Sequence, residues 1–134
     1  MDESEFYDRV ESRAEFGSED EVLSITHATL RTLSERISEG QARDMADGQP
    51  RPIAESLTHH HGNPAEFSRE EFAARIAVDD DVDADLEERD ERILAVLGTL
   101  ADAVGEEFSD MRNQLPGEFE ELFVEAETER EIEN

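Results

Sequence analysis

The strongest constraint in this sequence is that one pattern of apolar residues occurs twice. Phe6-Tyr7-Asp8-Arg9-Val10 is matched by Phe72-Ala73-Ala74-Arg75-Ile76, 66 residues later. Thr29-Leu30-Arg31-Thr32-Leu33 is matched by Val96-Leu97-Gly98-Thr99-Leu100 at an offset of 67. Asp44-Met45, Pro50, Ile53 and Leu57 are matched by Asp110-Met111, Pro116, Phe119 and Phe123, again 66 apart. One residue inserted in the second half and removed later accounts for the change of offset. Aromatic and aliphatic residues trade places while their spacing survives, which predicts two copies of one structural unit. The expected organisation is a single domain over 1–134. Repeat one covers about 4–57, a linker 58–67, repeat two about 68–124, and an acidic tail 125–134.

Within each unit the spacing is helical. Phe6, Val10 and Ala14 form a short stripe, and Gly17-Ser18 interrupts it. Val22, Ile25, Leu30, Leu33 and Ile37 then lie along one side of a longer helix. In the second unit Leu86, Ile93, Leu97, Leu100 and Val104 step by 7, 4, 3 and 4 residues, a sustained helical period. Ser18 with Glu21, Ser38 with Gln41 and Ser68 with Glu71 have the spacing of capping boxes, in which the hydroxyl accepts from a free N–H of the first turn. Pro116 suits the first position of a final helix carrying Phe119, Leu122 and Phe123. No segment alternates as a strand would. The expected fold is all-α, a helical bundle of two homologous multi-helix repeats. It packs through Phe72, Ile93, Leu97, Leu100 and Phe119 with their first-half counterparts.

Charge decides what surrounds this core. Arginine supplies all 12 basic residues against 38 acidic ones, a net charge of −26 with no lysine. Leu, Ile, Val and Phe number 30 of 134, near the ~20% boundary below which a highly charged chain stays disordered. The acids, however, alternate with apolar residues at regular spacing in nearly every segment. They therefore read as a carboxylate-covered surface, which repels itself unless salt screens it. Acid excess without lysine points to a halophile-type protein holding solvent cations at its surface. Scattered arginines form no basic stripe, so nucleic acid is excluded as a partner. Absence of cysteine removes disulfide and thiolate chemistry. The longest apolar run, 93–101, is too short to span a membrane. MDESEFYDRV lacks the features of a signal peptide, so a cytoplasmic location is expected.

The end of each unit carries a resemblance. Phe108-Ser109-Asp110-Met111-Arg112-Asn113-Gln114-Leu115-Pro116, followed by Glu118-Phe119-Glu120-Glu121-Leu122-Phe123, resembles the end of a repeat in the proteins called domain of unknown function 2267. Residues 33–45 are its first-half counterpart, and the helices around Phe6–Val10 and Phe72–Ile76 resemble the aromatic-containing opening of that repeat. The likeness extends over about residues 4–124. Gly48-Gln49-Pro50 departs from Gln114-Leu115-Pro116 by losing the apolar residue. The resemblance implies an all-helical protein of two similar units and implies no reaction.

Three constellations bear on chemistry. His59, His60 and His61 are imidazoles suited to a transition metal, but neighbours on a helix point apart and only an irregular loop would bring them together. A polar linker is the plainer reading. Asp79, Asp81, Asp83, Asp85, Glu87 and Asp90 fall at positions 1, 3, 5, 7, 9 and 12 of a calcium-type loop. Ala84 stands where the turn needs glycine, and Asp90 where a bidentate glutamate belongs. A solvated acidic loop leading into a helix N-terminus fits better. His27, whose repeat counterpart is Leu94, reads as a rim or core histidine with a local hydrogen bond. No catalytic set and no cofactor motif emerges. The expected function is non-enzymatic, through association with a protein partner or a second copy of the chain. The alternative is a divalent-metal binder using 79–90 or the His59–His61 cluster.

Overall fold

The computed structural model describes residues 1–80 and 85–133. Among these residues it has eight α-helices, one 3-10 turn and no strand. The helices are α1 (Glu3–Arg13), α2 (Glu19–Arg36), α3 (Glu39–Ala46), α4 (Arg51–Leu57), α5 (Arg69–Asp79), α6 (Leu86–Val104), α7 (Glu106–Arg112) and α8 (Glu120–Glu133), with the 3-10 turn at Gly117–Phe119 before α8.

Local chemistry sets where the helices begin. Ser18, Ser38 and Ser68 accept from the backbone N–H of Glu21, Gln41 and Glu71 at 3.4, 3.1 and 3.1 Å. Asp2 and Asp85 do the same for Glu5 and Glu88 at 2.8 Å each. Each cap satisfies a backbone donor that the first turn leaves unpaired. Gly105 ends α6 at φ +60°, a conformation that costs a side-chain-bearing residue more than glycine.

The long helices α2 and α6 pack together, and each receives the opening helix of the other half: α1 lies on α6, and α5 on α2. The closing helices stay with their own halves, α4 on α2 and α8 on α6. Between α3 and α7 the Gln41 side-chain amide donates to the Glu107 carbonyl and carboxylate at 3.3 and 3.1 Å. The core is one cluster. It contains Phe6 and Phe72, Val10 and Ile76, Leu30 and Leu97, Leu33 and Leu100, Met45 and Met111, Ile53 and Phe119, and Leu57 and Phe123, all buried. On the second-half side Phe108, Phe119 and Phe123 meet ring to ring at 5.4 to 6.4 Å.

Three features differ from what spacing alone suggests. Leu86, in step with the buried stripe of α6, is 71% exposed because it occupies the first turn, beyond the neighbouring helices. The acidic stretch after residue 124, which composition marks as a tail, continues α8 to Glu133. Ala126 of that stretch is fully buried, and α8 comes so close to α6 that a Cβ on Gly98 would lie 3.1 Å from the Ala126 carbonyl oxygen. The segment between α4 and α5 is docked rather than loose. Ala65 donates to the Glu35 carbonyl at 2.8 Å, and the buried Arg36 guanidinium bonds the Phe67 carbonyl at 3.0 Å while lying over the Phe67 and Phe119 rings.

Candidate functional site

On the first-half face, α1, α2 and α4 bring three polar side chains into a chain. The Tyr7 hydroxyl is 2.7 Å from His27 Nε2, and His27 Nδ1 is 2.6 Å from Ser56 Oγ. The Tyr7 ring meets the imidazole edge-on at 5.9 Å. Burial lowers the His27 pKa, and the Arg31 charge adds to this against the pull of Glu3. Burial likewise pushes the Tyr7 phenol up to about 12, reinforced by the charge of Glu3 and a hydrogen bond with it. One proton arrangement serves all four groups. Ser56 donates to Nδ1, Nε2–H donates to the phenol oxygen, and the phenol donates to the Glu3 carboxylate.

A serine hydroxyl facing an imidazole nitrogen is the contact a nucleophile requires. Here the serine is only 6% exposed and sits inside α4, where the backbone N–H groups are occupied by the helix. The arrangement ties three helices together and offers no place for an acyl oxygen. Beside it lies a shallow depression of about 320 Å³ lined by His27, Arg31, Pro52, Glu55, Ser56 and His59.

On the second-half face, α5, α6 and α8 enclose a larger cleft of about 480 Å³. Phe72, Ala73, Leu86, Ile93, Leu94 and Leu122 supply its apolar lining. Arg69, Glu70, Asp90 and Glu125 form the rim. Arg69 is drawn toward Glu121 and Glu125, at 3.7 and 3.9 Å.

The two faces correspond position by position. Phe72, Ala73, Leu94 and Leu122 stand 66 or 67 residues after Phe6, Tyr7, His27 and Ser56. In the second half Ala73 replaces the tyrosine, and Leu94 and Leu122 replace the histidine and serine. The hydrogen-bonded chain is gone, and so is the ring that would have filled the space. Tyr7, Ser56, Ala73 and Leu122 escape a motif search because none belongs to a motif. Subtracting one repeat from the other at those positions is the signal that finds them.

The residues that sequence motifs single out do not converge. His59 faces the depression beside His27. The His60 ring bonds the Asn63 carbonyl at 3.0 Å, and His61 Nδ1 lies 3.6 Å from Glu39. The Glu39 pKa is lowered chiefly by the Gly62 backbone N–H, which it accepts at 3.3 Å. Asp79 pairs with Arg31 at 2.9 Å, and Asp85 is used as the cap of α6. Asp81 and Asp83 lie outside the described residues. Among the described residues no group of three or more His, Cys, Asp or Glu side chains is placed to hold a metal ion. The hydrogen bonds of His27 reach residues 20 and 29 positions away rather than local ones. Among the described residues no helix is long and apolar enough to cross a membrane.

Comparison with curated proteins finds none that matches. The family model described as "Uncharacterized conserved protein (DUF2267)" matches residues 3–122, nearly the whole chain, and the chain belongs to that family.

Proposed function

We propose that this chain is a non-enzymatic binding module, two copies of one helical unit fused in a single domain, that associates with a protein partner through the α5–α6–α8 cleft. The observation that carries the proposal is that the cleft stands open where Tyr7, His27 and Ser56 close the corresponding place in the first half. An apolar hollow with an exposed leucine at its mouth is costly to leave in water, and association removes that cost.

The packing and the charges support two copies. Arg9 bonds Glu5 at 3.2 Å and Asp102 at 3.4 Å. Arg75, 66 positions later, bonds Glu71 at 2.7 Å and Glu35 at 3.1 Å. The partners match at the same offsets, and the exchange of α1 and α5 between halves gives each half the same surroundings. The −26 charge supports work in concentrated salt, in the cytoplasm of a salt-accumulating cell. Between 0.1 and 1 M salt the screening length falls from about 10 to about 3 Å, which relieves repulsion among the carboxylates. A melting temperature that does not rise with potassium chloride over that range would remove the salt-adaptation part of the proposal.

The direct test is capture from native lysate in molar potassium chloride, with the wild-type chain and an Ala73→Tyr/Leu86→Glu variant as baits. A protein retained by the first and lost by the second supports the proposal. Identical capture by both baits ends it. The divalent-metal reading, by 79–90 or by His59–His61, is tested by calorimetry with calcium and zinc in the same salt. Heat abolished by Asp79→Asn or by His61→Ala would favour it over association.

A further inference from the structure

We infer that the group held by the α5–α6–α8 cleft is an aromatic side chain, presented by a partner segment with a basic residue beside it. The inference rests on the association reading above and names what enters.

The first half already contains an occupant of the corresponding space. Tyr7 projects from α1 above Phe6, with the two rings edge-to-face at 6.4 Å, and its own ring covers His27. In the second half the phenylalanine below remains as Phe72, whose ring also contacts Phe67 and Phe119 at 6.4 and 5.9 Å. Only the covering ring is missing, because position 73 is alanine. The facing polar groups are missing with it, replaced by Leu94 and Leu122, so the second-half cleft makes no demand for a hydroxyl. Its volume of about 480 Å³ lies within the ~300–1,000 Å³ typical of sites that take a compact group. A flat ring supplied from outside would complete the arrangement that Tyr7 completes from within.

The rim fixes what flanks that ring. Arg69, the one basic residue lining the cleft, is turned toward Glu121 and Glu125. Glu70 and Asp90 stand on the same rim, on a protein of strongly negative charge. Carboxylates at the edge of an apolar pocket favour a cation beside the buried group and oppose an acid.

The test uses the full-length chain and three capped tripeptides, acetyl-Arg-Tyr-Arg-amide, acetyl-Arg-Leu-Arg-amide and acetyl-Glu-Tyr-Glu-amide. Binding is followed by amide chemical shifts in nuclear magnetic resonance titrations. The Arg-Tyr-Arg peptide is expected to shift the amides of Ala73, Leu86 and Leu94. It should bind roughly fivefold more tightly than the leucine peptide, the factor expected for ring-on-ring contact beyond area alone. The Glu-Tyr-Glu peptide should bind more weakly than Arg-Tyr-Arg, and the gap should narrow as salt is raised. Ala73→Tyr, which places a covering ring on the chain itself, should abolish the shifts. Leu86→Glu alters an exposed residue and guards against misfolding of the first variant; it should weaken the Arg-Tyr-Arg peptide. Equal affinity for the tyrosine and leucine peptides, or shifts outside the cleft, would overturn the inference. If partner capture depends on the cleft while the peptides do not differ, the aromatic inference fails and the association reading survives. If neither capture nor peptide binding responds to Ala73→Tyr, both fall.

Discussion

The α1–α2–α4 face and the α5–α6–α8 face are built on matching positions and end in opposite states. In the first, Tyr7, His27 and Ser56 satisfy one another, and the ring of Tyr7 covers the floor. In the second, Ala73, Leu94 and Leu122 leave an open apolar cleft. The comparison shows how such a set changes. A buried polar group that loses its partner carries its full desolvation penalty, whereas apolar groups in both places need no partner. The three replacements are mutually consistent, and their combined product is a cavity rather than an orphaned donor.

The largest test of the correspondence concerns the floors. Phe6 and Phe72 are both essentially buried. Phe6→Ala and Phe72→Ala should each cost about 3–5 kcal/mol, the range for a large aromatic removed from a packed core. Denaturant unfolding in molar potassium chloride measures both. A loss under ~1 kcal/mol for Phe72→Ala alone would mean that the cleft has no packed floor, and the comparison would break.

Next in size is conversion of one face into the other. Tyr7→Ala should cost about 2–3 kcal/mol, since it removes the ring and leaves His27 Nε2 without its partner. Adding His27→Leu and Ser56→Leu reproduces the second-half set. The triple variant should be more stable than Tyr7→Ala by ~1 kcal/mol or more, because no buried polar group is then left over. Additive losses across the three substitutions would show that the hydrogen-bonded chain is not a unit.

Titration sharpens the contrast, because the second-half face has no ionisable side chain at the matching positions. The folded pKa of His27 is lowered, so its neutral form is favoured in the native state. Its contribution to stability is present above the ordinary histidine value of about 6.5 and is lost as pH falls through the lower native value. The stability difference between wild type and His27→Leu should therefore move against wild type on acidification. A pH-independent difference from pH 8 to 5 would refute this assignment. Tyr7 shifts the other way: its contribution is full below the ordinary value of about 10 and is lost as pH rises through the native value of about 12. It is the only tyrosine in the chain, so ultraviolet absorbance reads it without interference. A midpoint at the ordinary value in the folded protein would mean that the phenol is not held as described.

Much of the fold was legible because its signals are local. The spacing of Leu97, Leu100 and Val104 marks α6, and Ser18, Ser38 and Ser68 mark the starts of α2, α3 and α5. What was not legible depends on encounters between distant segments. No pattern states that α1 rests on α6 rather than on its own long helix. Leu86 keeps the period of α6 yet faces water, since periodicity cannot say how far a neighbouring helix extends. The continuation of α8 turns on Ala126 meeting Gly98, two small residues that carry little hydrophobic signal. At the site, His27 stood out by residue type, but its partners lie on other helices. The difference between positions 7 and 73 was in the sequence throughout, and it gained meaning only when the side chains at 27, 56, 94 and 122 were placed around it.

The smallest effect separates the two faces by one contact. Arg9 and Arg75 hold matching ion pairs, each to a glutamate one turn earlier and to a carboxylate on the other half's long helix. Arg75 also lies over the Phe67 ring at 4.2 Å from its centroid, which Arg9 does not match with any ring of its own among the described residues. The ion pairs are partly exposed, and each is worth at most ~1 kcal/mol. The guanidinium over a ring adds about 0.5–1 kcal/mol at such a site. Arg75→Ala should therefore destabilise by more than Arg9→Ala, and raising salt should shrink both losses without closing the gap, because contact with the ring and its apolar stem is less screened than exposed ion pairs. Double-mutant cycles with Phe67→Leu isolate the contact. If Arg75→Ala costs no more than Arg9→Ala, or the cycle returns no coupling, the two arginines are equivalent and this difference between the halves disappears.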